Sequence, residues 1–284
     1  MNAFKTTVLL TGLSLLLLLI GQGLGGPRGL TLALAFAVVM NAVAYFFSDK
    51  IALASSHARP VTREQAPRLY AITERLCGQA GIPMPRIYMI PEAAPNAFAT
   101  GRNPSHAAVA VTAGLMNLMT DEEIEGVLAH ELSHVRNYDI LTASVAATIA
   151  SAIGWLAWMG RWALIFGGGS RDDDRGGGNA LVMLLMLILA PFIALIIQLG
   201  ISRTREYQAD ASAARLVGHP FGLIKALEKL GAYNKRIPMR TAPETSSLFI
   251  VAPLTTGQMF SKLFSTHPPL ADRIERLKQM VVTR

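Results

Sequence analysis

The chain has 284 residues but a single cysteine, Cys77, which excludes an intrachain disulfide. Cys77 falls on an apolar helical pattern with Leu69 and Leu76, so we expect a half-buried structural thiol rather than a nucleophile or metal ligand. Charged residues are scarce too, at 16% against 51% hydrophobic residues. Soluble globular proteins carry about 25% charged residues, so this composition predicts membrane segments.

Four uncharged runs are long enough to cross a bilayer, whose hydrocarbon core takes about 20 residues of helix. They cover residues 6–27, 29–48, 140–160 and 176–202. The first run has no clear A-x-A cleavage site and is soon followed by the second, which favours an uncleaved anchor. We therefore predict a transmembrane hairpin over 1–48, a first catalytic part over 49–139, a second hairpin over 140–202 and a second catalytic part over 203–284.

The most informative stretch is TDEEIEGVLAHELSHVRNYD, which places an H-E-x-x-H pattern on a predicted helix. Thr120 and Glu123 fit a capping box at its start. His130 and His134 lie one turn apart on one face, about 5–6 Å between Cβ atoms, so both imidazoles can reach one metal ion. Glu131 is then placed to polarise a metal-bound water. Taken alone, the pattern also fits an amphipathic helix with incidental polar residues.

A catalytic zinc site takes three protein ligands, so a third ligand is needed. The segment SRTREYQADASAARL places Glu206 and Asp210 one turn apart on a second predicted helix. Glu206 can complete the ligand set, while Asp210 can accept a hydrogen bond from a ligating histidine and fix its tautomer. Seen in isolation, the two carboxylates would fit an ordinary solvated helix face.

Together, H-E-L-S-H and S-R-x-x-E-Y-x-A-D, with hydrophobic segments before and between them, resemble the HtpX family of membrane-bound zinc metalloproteases, which are relatives of the CAAX prenyl proteases. The similarity extends to the segments NAFATG and STHPPL. It implies that His130, His134 and Glu206 bind one zinc ion per chain and that Glu131 is the general base. It also implies cleavage of misfolded or damaged membrane proteins, as quality control under stress at the bacterial inner membrane.

The predicted fold class is an α+β membrane protein, mostly α-helical, with four transmembrane helices. Short strands predicted over 86–90 and 106–112 suggest the small β-sheet that covers the active-site helix in zincin-type proteases. Neither soluble part holds all three predicted ligands, so the two parts must pack into one catalytic domain. Since His134 and Glu206 bind one ion, the chain between them crosses the membrane an even number of times. Basic residues after the second and fourth runs favour a cytoplasmic catalytic domain.

Three further residues are candidates for substrate or oxyanion contacts, each with a plainer alternative. His267 could donate to the oxyanion of the tetrahedral intermediate, or it could simply begin the last helix with Pro268. Arg203 competes for the oxyanion role, but it could equally pair with a carboxylate or a lipid phosphate. Asn96 could lie at the cleft rim that holds an extended peptide, or it could close a turn after Pro95.

The expected partners follow from charge and from motifs. The part of the chain from residue 203 onward is strongly basic, which favours contact with the anionic headgroups of the lipid bilayer. No nucleic-acid motif accompanies this charge, and nothing in the sequence sets an oligomeric state. Two other functions stay open: a CAAX-type prenyl-protein protease, usually a longer many-helix chamber, and a non-enzymatic transporter or scaffold. A transporter or scaffold would not explain why the chain carries a complete set of metal ligands.

Overall fold

The structure is a computed structural model, which describes residues 2–151, 203–234, 248–251 and 268–282. It begins with helix α1, Asn2–Ser55, which folds back on itself at Gly26. Gly26 has φ 55° and ψ −141°, in the region of positive φ that glycine adopts without a steric penalty. The bend divides α1 into two arms, Phe4–Gly23 and Gly26–Ser55, each long and apolar enough to cross a membrane.

The two arms of α1 pack as a tight hairpin. Near the bend, a Cβ atom built on Gly29 would lie 2.1 Å from the Gly21 carbonyl oxygen, so only glycine permits this approach. Further down, the Asn41 side-chain amide donates to the Ser14 hydroxyl over 2.8 Å. Helix α5, Asp139–Ser151, packs beside the hairpin and buries its apolar side chains against both arms.

Two helices that could cross a membrane lie within the described residues. The first two predicted runs correspond to the two arms of α1. The third run enters the described residues as α5, an apolar helix described over Asp139–Ser151. The remainder of that run, and all of the fourth run at 176–202, lie outside the described residues. What the described chain supports is a mostly helical protein with a small mixed sheet and two membrane-compatible helices.

The sheet has four strands in the order β1-β2-β4-β3. The strands are β1 Arg59–Pro60, β2 Arg86–Ile90, β3 Ala97–Gly101 and β4 Ala107–Thr112. Strands β2 and β4 run parallel, while β1 with β2 and β3 with β4 are antiparallel. The continuous small apolar sequence of β4 suits a strand that is buried on both faces. This order leaves β3 at one edge of the sheet.

Six further α-helices lie within the described residues. They are α2 Pro67–Ala80, α3 Ala113–Leu118, α4 Asp121–Arg136, α6 Arg203–Val217, α7 Phe221–Asn234 and α8 Leu270–Val282. Helix α4 begins with the predicted capping box of Thr120 and Glu123 and runs through the centre of the core. It approaches α7 closely, since a Cβ atom on Gly126 would lie 2.4 Å from the Leu223 nitrogen. This contact fixes α4, and with it the H-E-x-x-H motif, against the rest of the domain.

Residues 248–251 form a short strap along the outer edge of β3. The Ile250 amide donates to the Ala97 carbonyl over 2.9 Å, and the ring of Phe249 packs edge-to-face on Phe98 with centroids 5.0 Å apart. All four residues of the strap are buried. Their apolar side chains fill space beside the sheet.

Candidate metal centre

Helices α4 and α6 bring three potential ligands together. The Nε2 atoms of His130 and His134 are 3.2 Å apart. Glu206 Oε1 lies 3.4 Å from His134 Nε2, and Glu206 Oε2 lies 3.7 Å from His130 Nε2. One ligand atom from each residue falls within 4.8 Å of the others, a spacing that one metal ion can bridge. Two imidazole nitrogens and one carboxylate form a donor set that catalytic zinc takes, so these residues fit the ion.

The His130 side of this centre is closed. His130 Nδ1 lies 2.9 Å from Asp210 Oδ1, and both side chains are almost completely buried. Burial, with the charge of Arg273, lowers the pKa of His130 below its usual value, although Asp210 opposes the shift. Burial works against the charge on Asp210 too, but Arg273 outweighs it and lowers the pKa of that carboxyl. Here a neutral imidazole is held by a charged carboxylate.

The His134 side has the same plan with looser contacts. His134 Nδ1 lies 3.1 Å from Asp139 Oδ2, and Arg205 Nη1 donates to Asp139 Oδ1 over 3.4 Å. The His134 side chain keeps 15% of its surface exposed. Burial disfavours its charge, but the hydrogen bonds to Asp139 and Glu206 outweigh that effect and raise the pKa of His134 to about 10. In the metal-free protein, a proton on His134 therefore partly offsets the two carboxylates.

Glu131 follows His130 on α4 and is buried beneath β3. The backbone of Ala99, on the edge strand, makes a hydrogen bond to its carboxylate. Burial raises the pKa of Glu131 to about 8, and the charge of Glu206 adds to the rise. A carboxyl group with a pKa near neutrality can both accept and return a proton at physiological pH.

Arg273, on α8, is a member of the site that the sequence analysis missed. Its side chain has 0% exposure, and its Nε and Nη2 atoms donate to the two Asp210 oxygens over 2.8 and 2.7 Å. Its Nη1 donates to the Ile250 carbonyl over 2.9 Å and lies 3.7 Å from Glu206 Oε2. One guanidinium thus joins the carboxylates of α6 to the strap beside β3. A guanidinium keeps its charge even when buried, so Arg273 can neutralise these carboxylates in the interior.

Comparison with known proteins identifies the family to which the chain belongs. Residues 63–281 match the family described as Peptidase family M48. The chain belongs to peptidase family M48. It is 54% identical over 277 residues to a protease HtpX homolog of Desulforapulum autotrophicum, covering 98% of this chain and 89% of that one. It is 54% identical over 280 residues to the HtpX homolog of Thermodesulfovibrio yellowstonii, covering 99% of both.

Within M48, the resemblance to the HtpX proteases is thus confirmed, and the chain is a membrane-bound metallopeptidase. A solved structure shares the fold. The crystal structure of S. mikatae Ste24p superposes with a TM-score of 0.54 at 24% identity, covering 97% of this chain and 64% of that chain. The chain therefore spans less than two thirds of Ste24p, and at this identity the likeness concerns the fold alone.

The remaining candidate residues of this M48 chain have different surroundings. Asn96 is fully buried; its amide donates to the Val251 carbonyl over 2.8 Å and its side-chain oxygen accepts from the Ala97 amide over 3.1 Å. Asn96 therefore anchors the strap to the start of β3. Arg203 is exposed at the start of α6, while Arg205 points inward to Asp139. His267 lies outside the described residues.

Proposed function

We propose that the chain is a zinc endopeptidase in which His130, His134 and Glu206 bind the ion and Glu131 is the general base. The observation that supports this most strongly is the convergence of those three ligand atoms from two helices. Their donor set is the one that zinc takes in hydrolytic enzymes, and the family assignment implies a metal.

When bound, zinc would supply a Lewis acid that polarises the scissile carbonyl and makes a water acidic near neutral pH. Glu131 would accept the proton of the attacking water and return one to the leaving amine, as its near-neutral pKa allows. Asp210 and Asp139 would hold the two imidazoles with Nε2 directed inward, which fixes the tautomer that binds a metal.

We further propose that the substrates are unfolded or damaged membrane proteins, so that the enzyme serves protein quality control. The support is positional, because both arms of α1 tether the centre directly at a bilayer. Edge strand β3 is a natural surface for an extended peptide, since backbone hydrogen bonds carry little side-chain information. Some backbone groups of β3 already have hydrogen-bond partners. The Ala97 carbonyl accepts a hydrogen bond from the strap, and the Ala99 backbone hydrogen bonds to Glu131. Asn96 would act at this rim by holding the strap.

The variant Glu131→Gln tests the proposed general base independently of metal binding. We expect this variant to keep one zinc per chain while hydrolysis of an unfolded protein such as casein falls about 100-fold or more. Glu206→Ala is the matched comparison and should lose both zinc and activity. Metal analysis beside proteolysis of the detergent-purified full chain measures both. An active, zinc-loaded Glu131→Gln protein would refute the mechanism, and preference for a prenylated CAAX peptide over casein would favour the prenyl-protease alternative.

For topology, we propose four spans arranged as two hairpins, at 1–48 and 140–202, with the parts at 49–139 and 203–284 joined as one cytoplasmic domain on the inner membrane of a bacterium. Three ends meet on one side: the start and the end of α1, and the start of α5, which is linked to α1 by the Thr6–Thr142 hydrogen bond of 3.0 Å. Ligands on both sides of residues 140–202 then require an even number of crossings.

The single native cysteine makes this topology testable. Burial raises the pKa of the Cys77 thiol to about 11, so its background reactivity is low. We expect Arg28→Cys, at the hairpin bend, to react with a membrane-impermeant maleimide in intact spheroplasts. Arg63→Cys, on the domain surface, should react only after the membrane is permeabilised. The opposite labelling pattern would place the domain outside the cell.

A further inference from the structure

A cavity of about 770 Å³ lies where α1, α5 and α6 meet, on the His134 side of the metal centre. Its lining comes from three parts of the chain: Thr6 of α1, Tyr138 in the turn before α5 with Asp139 at the start of α5, and the face of α6 that carries Arg205 and Arg215. Thr6, Tyr138 and Arg215 have no part in the proposed peptidase chemistry. The cavity is therefore a separate feature that needs its own explanation.

The charges around this cavity favour an anion. Arg205 and Arg215 line it, and Lys5 of α1 lies close enough to Arg205 and Asp139 to interact with both charges. Asp139 is the acidic residue of the lining, and its two oxygens already accept from His134 and Arg205. Arg215 directs a guanidinium nitrogen to the Ser212 hydroxyl over 3.1 Å. The cations around the cavity thus outnumber its carboxylate.

The cavity lies at the level where two apolar helices begin. The first membrane-compatible arm starts at Phe4 and α5 starts at Asp139, and Thr6 and Thr142 hydrogen bond between them. The Phe4 side chain is 72% exposed, as expected of a residue that faces lipid, and Tyr138 is 54% exposed. Tyrosine favours the headgroup layer of a bilayer because its ring is apolar and its hydroxyl is polar. The cavity therefore opens at headgroup depth.

The backbone at the cavity is unusual as well. Tyr138 has φ 60°, a left-handed conformation that bulky residues adopt rarely and at some cost. Strained positions of this kind concentrate at sites that clamp ligands. The left-handed conformation of Tyr138 turns the chain sharply between α4 and α5. This turn places Asn137 and Tyr138 on the cavity wall beside Arg205.

We propose that this cavity binds the phosphate-bearing headgroup of an anionic glycerophospholipid. Arginine presents a planar fork of donors that matches phosphate oxygens, and Gln208, Ser212 and Asn137 add polar groups to the wall. The volume suits a headgroup, while the acyl chains would lie along the exposed apolar side chains of α1. Free phosphate shares the headgroup's chemistry but would leave that apolar surface unused. This site goes beyond the peptidase activity and does not depend on it.

The experiment uses the full-length chain in detergent with short-chain phosphatidylglycerol, followed by native mass spectrometry. Wild type should bind one phosphatidylglycerol saturably and should bind short-chain phosphatidylcholine and inorganic phosphate more weakly. Arg215→Gln should weaken phosphatidylglycerol binding about fivefold, the effect expected of one basic residue at a membrane surface. Arg75→Gln is the charge-matched control, since Arg75 pairs with Glu125, about 18 Å along α4 from Asn137. It should bind like wild type.

Zinc content and thermal unfolding of each variant would verify folding, and Ser212→Phe supplies a second test by filling the cavity without changing charge. This variant should also lose the bound lipid. Inorganic phosphate binding as tightly as phosphatidylglycerol would overturn the lipid assignment. Equal binding of the two lipids, or wild-type binding by both Arg215→Gln and Ser212→Phe, would overturn the site.

Discussion

The two sides of the metal centre share one plan and differ in how tightly it is built. In each, a carboxylate bonds the histidine Nδ1 and an arginine bonds the carboxylate. On the His130 side, Arg273 grips Asp210 with two bonds of 2.7 and 2.8 Å in a fully buried setting. On the His134 side, the Arg205–Asp139 contact is a single 3.4 Å bond near a cavity.

This difference suggests that His130 is held rigidly, whereas the position and protonation of His134 can change with its surroundings. Charged groups interact more strongly where water is excluded, so the His130 side should resist change while the His134 side can respond to its surroundings. The pKa values point the same way: that of His130 is lowered, and that of His134 is raised to about 10. We therefore expect mutations on the two sides to have unequal effects.

We expect the largest difference between the two sides in the unfolding free energy that is lost when each arginine is replaced. Arg273→Ala would leave Asp210 and Glu206 as buried carboxylates without their cation, and breaking a buried ion pair typically costs about 3–5 kcal/mol of unfolding free energy. Arg205→Ala removes the 3.4 Å hydrogen bond to Asp139 and should cost less, about 1–3 kcal/mol. Denaturant unfolding of the metal-free protein in detergent compares them. Equal losses would show that the two sides are equally rigid.

We expect the next largest difference when the two carboxylates, Asp210 and Asp139, are replaced. Here the measured quantity is zinc affinity rather than stability. Replacing a carboxylate that orients a ligating histidine costs about 10–100-fold in affinity. We expect Asp210→Asn near the upper end of this range, since it also leaves Arg273 without its main counter-charge, and Asp139→Asn near the lower end. Competition with a zinc-binding dye measures both. A larger effect at Asp139 would reverse the comparison.

A further comparison of the two sides concerns the pH dependence of zinc affinity. Because the pKa of His134 is raised to about 10 in the metal-free protein, zinc must displace a proton at neutral pH. Affinity should therefore increase about tenfold per pH unit between pH 7 and 8.5, instead of levelling off above the usual histidine pKa. Asp139→Asn removes the carboxylate that raises this pKa, so its affinity should level off at lower pH. A flat wild-type profile over this interval would contradict the assignment.

The sequence predicts what depends on local spacing. The capping box of α4 and the bounds of β2 follow from short patterns, and the structure contains both. The convergence of Glu206 on His130 and His134, which the structure also contains, was implied by the family resemblance, because more than 70 residues separate Glu206 from the two histidines. The functional roles of these residues stay predictions. Asp139 could have been found, because it follows His134 by only five residues, just beyond the end of α4.

Arg273 was harder to find because its partners lie far away in the chain. The contact with Asp210 joins residues 63 positions apart, and no local pattern records it. One signal was present. Arg273 shares a helical face with Leu270 and Leu277, so it stands alone as a charge on the apolar side of α8. An arginine in such a position must find a buried partner.

The position of α8, downstream of all the other residues of the site, has a consequence for biosynthesis. Glu131 and Arg273 are separated by roughly 140 residues, which a ribosome adds in about 7–30 s at 5–20 residues per second. Until α8 has been made, Asp210 and Glu206 lack the cation that lets them stay buried and charged. We expect the newborn protein to stay inactive for that interval. Neighbouring chains still entering the membrane would then meet an unfinished enzyme that cannot cut them.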